Sequence, residues 1–309
     1  MNSDSIYIIK DSGNLEKVPE YSYDSEDLLK ELVEKHTELL AGEQINPDEP
    51  VRWIFIQREV GIAGGEEQSD QSPIDHLLLD QNGIPTFVKV KCTKDMRIIR
   101  EIVGLMLDYV ANSRTYWSVN RIRDMASSQY NGPEGADEVI LNLLGRDPNK
   151  SIADVVEAFW TKVEDNLWIG KVRLFFVADR LPGELRRIIE FLNEQMAKVE
   201  VLGLELPQFV GSDFRALVPR LIGQTEAIRQ MKESTERSTR QRMKDEFLSQ
   251  LSGKLKPFFL NLISEAEKQG MRVSWDSGGF SLEVKNHDEK WRTMFYENKD
   301  SLAQWHDRG

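Results

Sequence analysis

The side chains best placed to do chemistry together are Asp75, in the stretch IDHLLLD, and Lys89 and Lys91, in TFVKVKC. Strand side chains alternate between faces, so Lys89 and Lys91 share one face, and a polar turn between two apolar strands brings Asp75 alongside them. An acid facing Lys-x-Lys admits three readings. It can be a metal-dependent phosphodiester-cleaving site, the remains of one, or a hairpin closed by a cross-strand ion pair.

Those residues need elements to position them. Ser25 is placed to cap a helix with Glu26 and Asp27 in its first turn, and Leu28, Leu29, Leu32, Val33, Leu39 and Leu40 give that helix an apolar face running to about Gly42. The β-branched and aromatic run VRWIFIQREV predicts a strand, followed by the Gly-rich acidic loop GIAGGEEQSDQSP. Next come the two strands of the opening stretch. Their connection, Asp80-Gln81-Asn82-Gly83, tolerates left-handed backbone and predicts an antiparallel hairpin. Apolar residues at helical spacing from Met96 to about Ser113 predict an amphipathic helix, and further helices and loops fill 114–165.

KVRLFFVAD predicts a strand buried on both faces, PGELRRIIEFLNEQM a helix with proline in its first turn, and VEVLGLELPQFV one further strand. Strand, helix and strand at this length predict a right-handed parallel crossover, hence a mixed sheet with helices on both faces. The expected class is α/β, in a domain over residues 1–224. The polar, charge-rich stretch 225–250 predicts an exposed helical linker, and 251–309 a small α+β unit with a hairpin about Asp276 to Gly279 and aromatic residues Trp291, Phe295, Tyr296 and Trp305.

Composition narrows the function. A net charge of −12 argues against a nonspecific nucleic-acid coat, although Lys89, Lys91, Lys94, Arg97 and Arg100 stand against only Asp95 in one short stretch. The single cysteine, Cys92, excludes an intramolecular disulfide and a Cys-based zinc cluster, and the four histidines lack metal-ligand spacing. No apolar run has membrane-spanning length, and MNSDSIYIIKDSG lacks a signal-peptide pattern, so the expected compartment is the cytoplasm with no membrane partner.

The element order and the stretches Ile74-Asp75, Lys89-Val90-Lys91 and Gly104-Leu105-Met106-Leu107-Asp108-Tyr109 resemble the PD-(D/E)XK nuclease superfamily, and within it a bacterial group of largely uncharacterised proteins. The resemblance extends through FFVADRLPGELRRIIEFLNEQM and LVPRLIGQT, covering most of residues 25–224. It implies a restriction-endonuclease-like core in which two carboxylates hold Mg²⁺ and a lysine assists the attacking water. Asp75 then takes the first role, Lys91 that of the lysine, and Glu26, or else Glu34 or Glu43, that of an outer acid.

The sequence departs from the pattern at the second carboxylate. Lys89 stands where the motif has Glu, and Leu105 where the group has Gln. An ammonium in place of a carboxylate loses an attraction and adds a repulsion, each about 4 kcal/mol per unit-charge pair at 4 Å and an effective dielectric of 20, and about double against a dication. A nuclease-like protein with a disabled metal site, retaining DNA or partner binding through residues such as Lys94, Arg97 and Arg100, is therefore the first reading. The alternatives are an active Mg²⁺-dependent endonuclease using a displaced metal-binding acid, Glu59 or Glu101, beside Asp75, and a protein-interaction component that pairs or self-associates through the 225–250 helix.

Overall fold

The structure, a computed structural model, describes residues 4–11, 13–61, 73–92, 99–112, 117–145, 151–224, 226–251, 255–275, 279–285 and 291–298. Its elements in chain order are β1 (Ser5–Ile9), β2 (Leu15–Tyr21), α1 (Glu26–Lys35), α2 (Gly42–Ile45), β3 (Trp53–Val60), β4 (Ile74–Asp80), β5 (Pro85–Lys91), α3 (Ile99–Ala111), α4 (Val119–Gln129), α5 (Pro133–Leu144), α6 (Ile152–Ile169), β6 (Val172–Ala178), α7 (Gly183–Gln195), β7 (Val199–Glu205), β8 (Gln208–Val210), β9 (Arg215–Leu217), β10 (Arg220–Ile222), α8 (Glu226–Gln250), α9 (Leu255–Lys268), β11 (Arg272–Trp275), β12 (Gly279–Lys285) and β13 (Trp291–Asn298). Two compact units divide after Ile228.

The first unit is built on a mixed six-stranded sheet in the order β10-β7-β6-β5-β4-β3. Strands β5, β6 and β7 run parallel, because helical crossovers separate them, while the tight turn between β4 and β5 makes that pair antiparallel. Asp80 shapes the turn: its Oδ1 accepts the Asn82 and Ile84 N–H groups, each at 2.9 Å. Alternation along the strands separates two apolar cores. Leu77, Leu79, Phe87, Leu174 and Phe176 pack with α3 to α7, and Leu78, Val88, Val90, Phe175 and Val177 pack with Leu29 and Val33 of α1. Helices thus cover both faces, as an α/β class requires.

The chain leaves α1 earlier than its apolar pattern predicts. Helical geometry stops at His36, a 3-10 turn spans Thr37–Leu40, and Ala41 adopts a left-handed conformation. The reversal is needed because Gly42 lies against the Val51 backbone, where an added Cβ would stand 1.8 Å from the Val51 carbonyl oxygen.

VEVLGLELPQFV is two strands, not one. Pro207 has no N–H to give a ladder, and the chain bends there, so β7 stays in the main sheet while β8 joins a second sheet, β1-β2-β8-β9. The Tyr23 hydroxyl donates to the Leu206 carbonyl at 2.8 Å and ties this corner down.

The second unit is a three-stranded antiparallel sheet, β11-β12-β13, packed with helices around Phe247, Leu248, Phe259, Ile263, Phe280 and Leu282. Strands β11 and β12 pair as the hairpin the sequence predicts, while residues 276–278 of its turn and Trp305 lie outside the described residues. The last turn of α8 is not a bare linker, since Phe247 and Leu248 are buried in this core. Among the described residues no helix is long and apolar enough to cross a membrane.

Candidate functional site

The Ser25 side chain accepts the Leu28 N–H at 3.2 Å and fixes the first turn of α1, which carries Glu26 and, one turn on, Lys30. On the sheet, β4 and β5 pair from Leu79↔Pro85 to His76↔Val88. At the end of that ladder the Asp75 side chain takes over as acceptor: its Oδ2 receives the Val90 N–H at 2.7 Å. Tyr109 of α3 braces the same end, accepting the Ile74 N–H at 3.2 Å and donating to the Val60 carbonyl at 3.3 Å. Asp75 is only 2% exposed.

Five charged groups form one chain of contacts here. Lys89 Nζ donates to the Pro73 carbonyl at 2.7 Å and lies 3.4 Å from Asp75 Oδ2. Lys30 Nζ lies 2.8 Å from Asp75 Oδ1 and 3.0 Å from Glu26 Oε1. Lys91 Nζ donates to both carboxylate oxygens of Glu26, at 3.0 and 2.9 Å. Asp75, Lys89, Lys91 and Glu26, expected to act together, are thus within one connected cluster. Lys89 is buried, only 4% exposed. Burial, with the nearby ammonium of Lys91, pulls the Lys89 pKa below its ordinary value against the pull of Asp75. Burial also opposes charge on Lys30, but its bonds to Asp75 and Glu26 prevail and raise its pKa.

Lys30 was not legible as a site residue, although its position four residues after Glu26 puts the two on one helix face. His76 was also passed over. It is fully buried, with neither ring nitrogen hydrogen-bonded, and its ring meets Phe55 edge-on at 5.7 Å. Burial pushes its pKa down to about 4, so it is neutral at neutral pH.

The remaining sequence candidates fall elsewhere. Glu59 has a left-handed backbone (φ 52°), a largely exposed side chain and a carboxylate 3.9 Å from the Arg58 guanidinium. Glu34 lies 3.9 Å from the same guanidinium, and Glu43 and Glu101 are exposed. Leu105 packs against the apolar core, and Asp108 accepts the Asn112 side-chain amide at 2.9 Å. Lys94 and Arg97 lie outside the described residues, as does the side chain of Arg100.

The donor set does not fit Mg²⁺. Each oxygen of Asp75 and Glu26 already accepts from an N–H or faces an ammonium, and among the described residues no group of three or more His, Cys, Asp or Glu side chains could hold a metal. A dication at the Lys30 Nζ position would also face Lys89 and Lys91, each unit-charge contact costing about 4 kcal/mol at 4 Å and a dielectric of 20, doubled for a dication. Lys89 and Lys91 border a small recess through their aliphatic stems, its other walls including Ile102, Phe176, Leu181 and Leu185, while their ammonium groups are turned to Asp75 and Glu26. Three lysines against two acids leave one positive charge in excess within the cluster.

No protein-family model, curated protein or solved structure matches the chain.

Proposed function

We propose that this chain is a nuclease-like protein that binds nucleic-acid backbone without cutting it, its metal centre replaced by an ion-pair network. The order α1-β3-β4-β5-α3-β6, with Asp75, Lys91 and Glu26 meeting at one end of the sheet, supports a restriction-endonuclease-like core. The observation that carries the loss of catalysis is Lys30 Nζ standing between Asp75 and Glu26, at 2.8 and 3.0 Å, where nucleases of this kind would carry a cation. Cleavage routed through Mg²⁺ has no place in such a site. Binding draws on the basic stretch of Lys94, Arg97 and Arg100, which continues from β5 in the sequence, with the excess positive charge of the cluster added to it.

Fluorescence anisotropy with labelled duplex and single-stranded DNA, read over a salt series and beside a plasmid-nicking assay in Mg²⁺ and Mn²⁺, tests this reading. Expected are binding at low salt that weakens steeply as salt rises, and no nicking. Absence of binding at low salt, or nicking that depends on Lys91, would overturn it.

A further inference from the structure

Strand β1 is the outer strand of the second sheet, and among the described residues it has β2 on one side and no neighbour on the other. Bonded pairs alternate along an antiparallel ladder. Asp4 gives its carbonyl to the Glu20 N–H and Lys10 its N–H to the Asn14 carbonyl, which sets the even-numbered residues as those bonded toward β2. Ser5, Tyr7 and Ile9 therefore direct their backbone N–H and C=O groups away from the sheet. The strand carries none of the devices that usually protect an edge: SIYII has no charge, no proline and no bulge.

Its outer face is apolar as well. Tyr7 is 63% exposed, Ile9 74%, Leu15 66% and Tyr21 55%, and strand alternation with the Ile9↔Leu15 pairing puts all four on one face. Tyr7 and Ile9 stand on the bare edge strand itself, with Leu15 beside Ile9 on β2, and such an edge marks a surface that another strand covers.

We infer that this edge pairs with the same edge of a second copy of this chain, antiparallel and centred on Tyr7. The flanking charges favour a second copy as the occupant. In that register Tyr7 faces its twin, Ser5 faces Ile9, and Asp4 of each copy, paired with Arg180 in its own chain, falls opposite Lys10 of the other, paired there with Glu16, so that charges alternate along the seam and the segment DSIYIIK is complementary to itself. A shift by two residues breaks this match, setting Asp4 against Ile8 in one direction and Lys10 against Ile6 in the other. The odd residues would exchange about six backbone hydrogen bonds, turning two four-stranded sheets into one continuous sheet. Five-residue strands bury less surface than a standard interface, so the association is weak, with a Kd of about tens of micromolar.

Sedimentation of the full chain over a dilution series tests the pairing. The wild type should shift from monomer to dimer with rising concentration. Tyr7→Lys, which sets two ammonium groups opposite each other at the centre, should weaken the dimer at least about tenfold, while Tyr21→Lys, on the same face but away from the edge, should leave it intact. Thermal melts of both variants check that the fold survives. Register is read by oxidative crosslinking: Tyr7→Cys alone should form a covalent dimer, and Ile9→Cys should do so only when mixed with Ser5→Cys. Wild type that stays monomeric at every concentration, a dimer indifferent to Tyr7→Lys, or crosslinking of Ile9→Cys to itself would each overturn the proposal.

Discussion

Asp75 and Lys30 meet across two elements, a carboxylate of β4 and an ammonium of α1 2.8 Å apart, and the same ammonium reaches Glu26 at 3.0 Å. One lysine therefore engages both acids at this end of the sheet. Restoring the motif acid by Lys89→Glu should not by itself create a metal site, because Lys30 remains. Calorimetric titration of Mn²⁺ should show no binding by the wild type, little by Lys89→Glu, and clear binding by Lys30→Met/Lys89→Glu, lost again when Asp75→Ala is added. Binding by the unmodified protein would mean that another acid completes the site.

The partners of the buried pair should respond unequally to deletion. Asp75→Ala takes from the buried Lys89 and from Lys30 their shared carboxylate and also orphans the Val90 N–H, so urea denaturation should register a loss of about 3–5 kcal/mol. Lys89→Met removes the charge that burial disfavours and leaves Asp75 its bonds to Lys30 and Val90. Its cost should stay below about 1 kcal/mol. Equal losses would show that Lys89 contributes more than a tolerated charge.

His76 sets a pH dependence. Its folded pKa, about 4, lies below the 6.5 of an unfolded chain, so the folded state favours the neutral ring. That contribution is intact above about pH 6.5 and is lost as pH falls toward 4, about 3 kcal/mol in all. Chemical denaturation at stepped pH should show the decline, and His76→Phe should flatten that part of the curve.

If the basic stretch after β5 meets phosphate, Arg97→Glu/Arg100→Glu should abolish DNA binding at low salt. Milder neutralisation, Arg97→Gln/Arg100→Gln, should reduce the slope of log affinity against log salt by about 2. Unchanged affinity in the double reversal would make the stretch an ordinary solvated face.

A fragment ending at Ile228 should fold on its own, since both apolar cores of the main sheet close within it. Expressed alone it should unfold in one cooperative transition. A fragment without cooperative melting would show that the second unit completes the first.

Local chemistry carried much of this architecture. Ser25 capped its helix, Asp80 and Gly83 turned the hairpin, and the apolar run at 172–178 became an inner strand, because each of these depends on near neighbours in the chain. That Asp75 shares a face with Lys89 and Lys91 was legible too, through strand alternation, whereas Glu26 was put beside them only by the resemblance, with Glu34 and Glu43 as alternatives. What escaped was set by distant contacts. The split at Pro207 depends on β2 being available to pair with β8, and the early end of α1 on the approach of Gly42 to Val51. Lys30 escaped because an i,i+4 partner of a surface acid looks like an ordinary solvated pair until the helix is laid over β4.

Asp75 closes the β4–β5 ladder by accepting the Val90 N–H, and that role does not depend on any reaction. Losing this acid would unzip the strand end and expose the core beneath it, whatever chemistry the protein carries out. In this chain the aspartate is accounted for by how the sheet is sewn shut, and its presence in a scan for nuclease motifs carries no information about turnover.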